Sequence, residues 1–262
     1  MATYFYIGVD GKARKVKGVY VGVDGKARKV KKGYIGDENG VARLCWSAID
    51  PVFANNSWED IIATCQSGSV PDTWVVGNQK TMTINGSNYT IDIIGKNHDE
   101  YSDGSGKAPL TFQLHDCRLS SYMNSYDTNE GGFTSSYIHT TVLSSELSRM
   151  PSAVSKAIRE VKKKTTEGGY SSTLKTTNEK LFLLSEKEVF NTNKHSKVAE
   201  GTQYEYYANG GSLVKLTNGV KKGWWLRSPY AISTTMFCLV SNGSLQLDQP
   251  SYEHGVSYAF CF

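Results

Sequence analysis

Gly223-Trp224-Trp225-Leu226-Arg227-Ser228-Pro229 is an aromatic-rich run closed by a proline. Along a strand, Trp224 and Trp225 point to opposite faces, so at least one of them belongs to a core. Beyond it stand Phe237-Cys238-Leu239-Val240, a turn at Asn242-Gly243-Ser244, and the closing run from Val256 to Phe262. The pattern predicts strands at Trp224 to Arg227, Met236 to Val240 and Val256 to Phe262, with another at Ser212 to Leu216. Trp224, Trp225, Phe237, Val240 and Phe260 are the expected scaffold residues.

Upstream, Leu181-Phe182-Leu183-Leu184 reads as a buried strand running into Ser185-Glu186-Lys187-Glu188, a capping box that opens a short helical turn. Ser135 or Ser136 is placed to cap a helix through about Arg149, and Pro151 to open a second through Val161. Lys162 to Thr177 reads as a polar loop holding Gly168-Gly169. Leu110 to Leu114 is a strand, and Met82 to Ile94 a hairpin about Asn85-Gly86. The predicted fold class is therefore α+β: two central helices bracketed by antiparallel strands, in a domain spanning 75–262.

Two segments precede it. Residues 45–74 form a bridging helix and linker, with Ser57-Trp58-Glu59-Asp60 as an acidic capping box and Gly68 and Pro71 closing the helix. Residues 1–44 are a repeat: Tyr6 to Lys17 recurs fourteen residues later as Tyr20 to Lys31, and a degenerate third copy starts at Tyr34. Each copy reads as a short β-hairpin turning at Asp-Gly or Asn-Gly. Hairpins this short bury no core alone, so 1–44 is read as an attachment module that stacks on itself, on a partner or on other subunits.

Composition narrows the function classes. The 262 residues are 39% hydrophobic and 21% charged, a globular balance with no run long enough to span a membrane. The start, MATYFYIGVDGK, lacks the charged and apolar regions of a signal peptide, so cytoplasmic synthesis is expected. Ten basic against four acidic residues fall in 1–44, leaving 19 against 21 in the remainder. The basic residues alternate with small and apolar ones, so a solvated strand face is preferred to a nucleic-acid site. Cys45, Cys65, Cys117, Cys238 and Cys261 are widely spaced without a C-x-x-C, and read as buried thiols rather than a metal site. Asp103 to Ala108 lacks the first glycine and the hydroxyl residue of a phosphate loop. His98, His115, His139, His195 and His254 show no metalloprotease pairing, and no nucleophile elbow is present. No enzyme, cofactor or metal is predicted.

The last 35 residues contain no Lys or Arg, and tyrosines and aliphatics stand beside small polar residues in what reads as exposed loop. That is the chemistry of an adaptable binding surface. The contact face expected here comprises Tyr230, Ile232, Ser233, Thr234, Thr235, Met236, Leu239, Leu245, Leu247, Gln249, Ser251, Tyr252, Glu253 and His254.

The Trp224-Trp225-Leu226-Arg227-Ser228-Pro229 block and the closing Gly255 to Phe262 resemble the formylglycine-generating-enzyme-like branch of the C-type lectin fold. Within it, they resemble the variable proteins of diversity-generating retroelements and related phage or prophage tail proteins of gut Firmicutes. Ile94-Gly95-Lys96-Asn97-His98-Asp99, Leu110 to Cys117, Leu181 to Glu186 and Glu200 to Tyr207 carry the same likeness. The resemblance implies a C-type-lectin-like domain displaying a variable C-terminal face, which binds a bacterial cell-surface protein or glycan in host recognition. It also implies mutagenesis of adenines, and 230–235, Leu245, Leu247, Ser251, Tyr252 and His254 fit the residues that Asn codons can become; Met236, Gln246, Gln249 and Glu253 need other codons. Residues 1–44 would join other tail proteins, placing the chain on a virion tail or bacterial surface, and likeness to phage tropism proteins implies a homotrimer. A structural tail protein without a ligand, and an enzyme of the formylglycine-generating type, stay open as alternatives.

Overall fold

The structure, a computed structural model, describes residues 6–9, 11–16, 19–30, 32–36, 42–47 and 49–262. The chain forms two compact units, Met1–Trp74 and Val75–Phe262.

In the first unit, β1 (Tyr6–Val9) pairs with β2 (Lys12–Lys15), β3 (Tyr20–Val23) with β4 (Lys26–Lys29), and β5 (Lys32–Gly36) with β6 (Ala42–Ser47), each an antiparallel two-stranded sheet. Asp24 and Gly25 both have positive φ, 51° and 70°, the requirement of a tight two-residue hairpin turn. Register sets Val21 across from Arg28 and Val23 across from Lys26, and Tyr20, Val21, Val23 and Tyr34 are exposed. The Asp10 turn residue, the Asn39-Gly40 turn and the Cys45 side chain lie outside the described residues. Ser57 and Asp60 form the capping box of α1 (Trp58–Gln66), whose Ile61, Ile62 and Cys65 are buried.

The second unit holds two sheets and two lone hairpins. β7 (Gln79–Ile84), β8 (Ser87–Lys96) and β9 (Leu110–Leu114) are joined in one sheet by the last strand of the chain; β10 (Leu119–Tyr122) belongs to the other. A π-helical turn, Ile138–Leu143, leads into α2 (Ser144–Arg149), followed by α3 (Ser152–Ala157). β11 (Val161–Gly168) and β12 (Ser171–Glu179) form a hairpin, and α4 (Glu186–Phe190) and α5 (Glu205–Ala208) are short. β13 (Lys215–Thr217) and β14 (Val220–Lys222) form the second hairpin. β15 (Trp224–Pro229), β16 (Phe237–Ser241), β17 (Ser244–Asp248) and β18 (Glu253–Val256) complete the five-stranded sheet in the order β10-β18-β15-β16-β17. β19 (Ala259–Cys261) closes the four-stranded sheet in the order β19-β9-β8-β7. One apolar core draws on both sheets, joining Ile94 and Cys261 to Trp224, Leu226, Cys238 and Val240.

This architecture corrects the predicted fold class. Strand accounts for 38% and helix for 18%, spread over several sheets with few helices, which does not fit the α+β arrangement of a C-type-lectin-like domain. The two central helices shrink for local reasons. Met150 precedes a proline and is extended (ψ 156°), which ends α2 at Arg149. Ile158 is extended too (ψ 123°), so α3 ends at Ala157 and Val161 starts a strand. The expected polar loop at 162–177 is the β11–β12 hairpin, because Val161, Lys163 and Thr165 are buried alternately with exposed Lys162 and Lys164.

Candidate functional site

The predicted contact face begins in the loop joining β15 to β16. Tyr230 N donates to Met236 O at 3.0 Å, closing the loop on itself. Its shape is held by Asn129, which is wholly buried. The Asn129 amide nitrogen donates to the carbonyls of Tyr230, Ser233 and Met236 at 3.1, 2.7 and 2.9 Å. Its backbone N–H reaches Thr234 O at 2.6 Å, and its Oδ1 accepts from Gly169 N at 2.8 Å. One side chain thus ties the loop to the β11–β12 turn and satisfies carbonyls that burial would otherwise leave costly.

The second loop, between β17 and β18, docks on the same support. Asn124 N donates to Pro250 O at 3.1 Å, and Ser251 N to Asp127 Oδ1 at 3.2 Å. The pairing of Phe237 with Asp248 sets the two loops side by side at one end of the sheet. On this rim Ile232 and Tyr252 are 57% and 54% exposed, and Tyr126, which sequence reasoning passed over, is 68% exposed. Tyr230, Ser233, Thr234, Thr235, Met236, Gln249 and Ser251 are half-buried around them, and Glu253 is exposed. Half-buried His254 bonds Asp248 at 2.8 Å and meets the Trp225 ring edge-on at 4.6 Å.

Three predicted contact residues are placed elsewhere. Leu245 and Leu247 pair with Val240 and Cys238 and pack against the core, while exposed Ser244 and Gln246 take the other face of β17. Leu239 is 2% exposed and lies under the His254 side of the sheet. The period of two along β17 decides this: a leucine pair two apart shares one face, and here that face is the core.

Beneath the rim, the Trp224–Pro229 strand is buried along its whole length, so both tryptophans are core. Arg227, wholly buried, has all five N–H groups occupied. Its Nε donates to Lys164 O at 3.0 Å, one terminal nitrogen to Leu183 O (2.8 Å) and Glu188 (2.5 Å), the other to Glu188 (2.9 Å) and Glu200 O (2.6 Å). Lys163 extends the network to Glu188 at 2.6 Å, Asp99 at 2.7 Å and Tyr204 at 2.9 Å. Burial alone would push the Glu188 carboxyl up, but the Arg227 guanidinium and Lys163 ammonium hold it below the ordinary range. Asp99 is likewise depressed: burial pushes its carboxyl up, and Lys163, His98 and the Thr111 hydroxyl together bring it below the ordinary range. Glu200 goes the other way: burial raises it despite Arg227, and Ser228 donates a short bond to it.

Cys65, Cys117, Cys238 and Cys261 are free and buried. Burial raises the Cys238 thiol well above its usual range, the opposite of what a thiolate nucleophile requires. Among the described residues no cluster of three or more His, Cys, Asp or Glu side chains is placed to hold a metal, and no helix is long and apolar enough to cross a membrane.

Neither curated proteins nor solved structures gave a match to the chain. Residues 92–262 match the family described as a domain of unknown function (DUF6273), a span that contains the Arg227 network, Asn129 and the loops it supports. The chain belongs to the DUF6273 family.

Proposed function

We propose that this chain is a ligand-recognition protein whose contact face is the rim formed by the loops at 124–130, 230–236 and 249–253. The observation that carries the reading is the exposure of Tyr126, Ile232 and Tyr252 on a rim whose 230–236 loop is held by the wholly buried Asn129 and whose 249–253 loop is held by Asn124 and Asp127. Large side chains bared to water on a pre-ordered loop bind with little further entropy loss, which is how a recognition surface gains affinity. Serines, threonines and Gln249 between them supply adaptable hydrogen bonding. The ligand is proposed to be a component of a bacterial cell surface, with the chain carried on a phage or prophage tail through the hairpins of residues 1–44. Exposed Tyr20, Val21 and Tyr34 on those hairpins support an attachment role. Several copies on one particle would multiply a modest affinity per site. The test is binding of labelled, multimerised chain to a panel of bacterial cells, beside a Tyr126→Ala, Ile232→Ala, Tyr252→Ala variant. Selective binding that the variant loses supports the reading; equal binding by both overturns it.

A further inference from the structure

Next to the rim lies a cleft of about 280 Å³ between β10 and the π-helical turn, lined among others by Tyr122, Tyr137, Thr141, Ser145, Arg149 and Glu253. Tyr122 and Tyr137 lie ring to ring, 4.7 Å between centroids and 31° between planes. Tyr137 is 37% exposed, so the pair offers an aromatic surface to water. Glu253 stands directly across from Tyr122 in the β10–β18 register and follows Tyr252 in sequence, which makes the cleft continuous with the contact face. A π-helical turn, Ile138–Leu143, brings Thr141 to the cleft; such turns interrupt regular helices and recur at functional sites. The Arg149 guanidinium is already matched by Glu146 at 2.6 Å, whereas Glu253 is exposed and forms none of the ion pairs found among the described residues.

From this arrangement we infer that the cleft is a saccharide subsite: one ring of a cell-surface glycan packs its apolar face on the Tyr122–Tyr137 pair. Its hydroxyl or N-acetyl donors bond Glu253, and its acceptors meet Ser145, Thr141 and Arg149. A tyrosine combines a broad apolar face with a polar tip, and a free carboxylate accepts two donors from one ring. With Arg149 neutralised and Glu253 free, the cleft favours neutral or amino sugars over uronic acids and phosphorylated sugars. The inference rests on the recognition reading of the adjoining loops and names the class of ligand for that face.

The test is saturation-transfer NMR and titration of the full chain with oligomers of N-acetylglucosamine, glucose, galactose and rhamnose, and with glucuronic acid. At least one neutral or amino oligomer should bind and glucuronic acid should not. Tyr137→Ala should weaken binding by about tenfold, Tyr137→Phe by much less, because the stacking ring is retained. Glu253→Gln should weaken it as well. Absence of binding to every oligomer, or a Tyr137→Ala chain that binds like the parent, overturns the subsite. Cell binding that is lost in Ile232→Ala, Tyr252→Ala but untouched by Tyr137→Ala and Glu253→Gln overturns the subsite and leaves the recognition reading standing. Oligosaccharide binding that depends on Tyr137 while no cell binds supports the subsite and counts against the cell-surface reading.

Discussion

Arg227 shows how little of a single residue's surroundings its own stretch of sequence reveals. In Trp224 to Pro229 it occupies a strand position that would read as a solvated charge, yet every one of its donors is spent inside the protein. A buried charge is tolerated only when geometry repays its desolvation, and here the repayment is a forked bond to Glu188 plus three carbonyls. Arg227→Lys keeps the charge and loses the fork. It should lower unfolding free energy by about 3 kcal/mol, read by denaturant melts; a loss under about 1 kcal/mol would contradict the account. Glu188 carries a second prediction. Its folded pKa lies below the unfolded one, so its contribution is present above the unfolded pKa of ~4.3 and disappears as pH falls through the folded value. Glu188→Gln should therefore be less stable at neutral pH but lose less stability than the parent between about pH 5 and 2. Parallel acid limbs for the two chains would refute it.

At the scale of elements, turns were legible and registers were not. Asn85-Gly86, with φ of 48° and 78°, sits where the Asn-Gly signal placed it, as do both capping boxes. Those signals are local. The β11–β12 hairpin was missed because Lys162-Lys163-Lys164-Thr165-Thr166 looks solvated, and only the distant Asp99 and Glu188 make burial of Lys163 affordable. Gly168 ends that strand at φ 70°, and a side chain there would collide with the Asn129 carbonyl oxygen. Gly168→Ala should cost at least ~2 kcal/mol, measured by thermal unfolding, and a neutral substitution would sink this account of the turn. Leu245 and Leu247 were assigned to the contact face because nothing in β17 itself says which of its faces meets the core; pairing with Cys238 and Val240 decides it. Asn129 was equally invisible, its acceptors lying 101 to 107 residues away. Asn129→Ala should speed hydrogen exchange at the Tyr230 and Ala231 amides roughly tenfold or more, and unchanged exchange would show the loop holding itself.

For the whole molecule, the class was read as α+β because isolated helix signals, Ser135 to Arg149 and Pro151 to Val161, were extended to full length. In the fold they are short segments among nineteen strands of the described residues, and both sheets of the second unit contribute to one apolar core. What the sequence did expose was the composition of the C-terminal loops, since a lack of basic charge beside tyrosines and small polar residues needs no knowledge of pairing. The Tyr122–Tyr137 cleft lay beyond reach, because its parts come from β10, a π-helical turn and β18. The central claim is that recognition resides on the rim around Tyr126, Ile232 and Tyr252. The most direct measurement is cell binding by three chains of equal thermal stability: the parent, Tyr126→Ala with Ile232→Ala and Tyr252→Ala, and a control with Lys107→Ala and Lys164→Ala on another part of the surface. The account predicts that strains bound by the parent keep binding the lysine control and lose the rim variant by more than about tenfold. Retention by the rim variant, or loss confined to the lysine control, would contradict it.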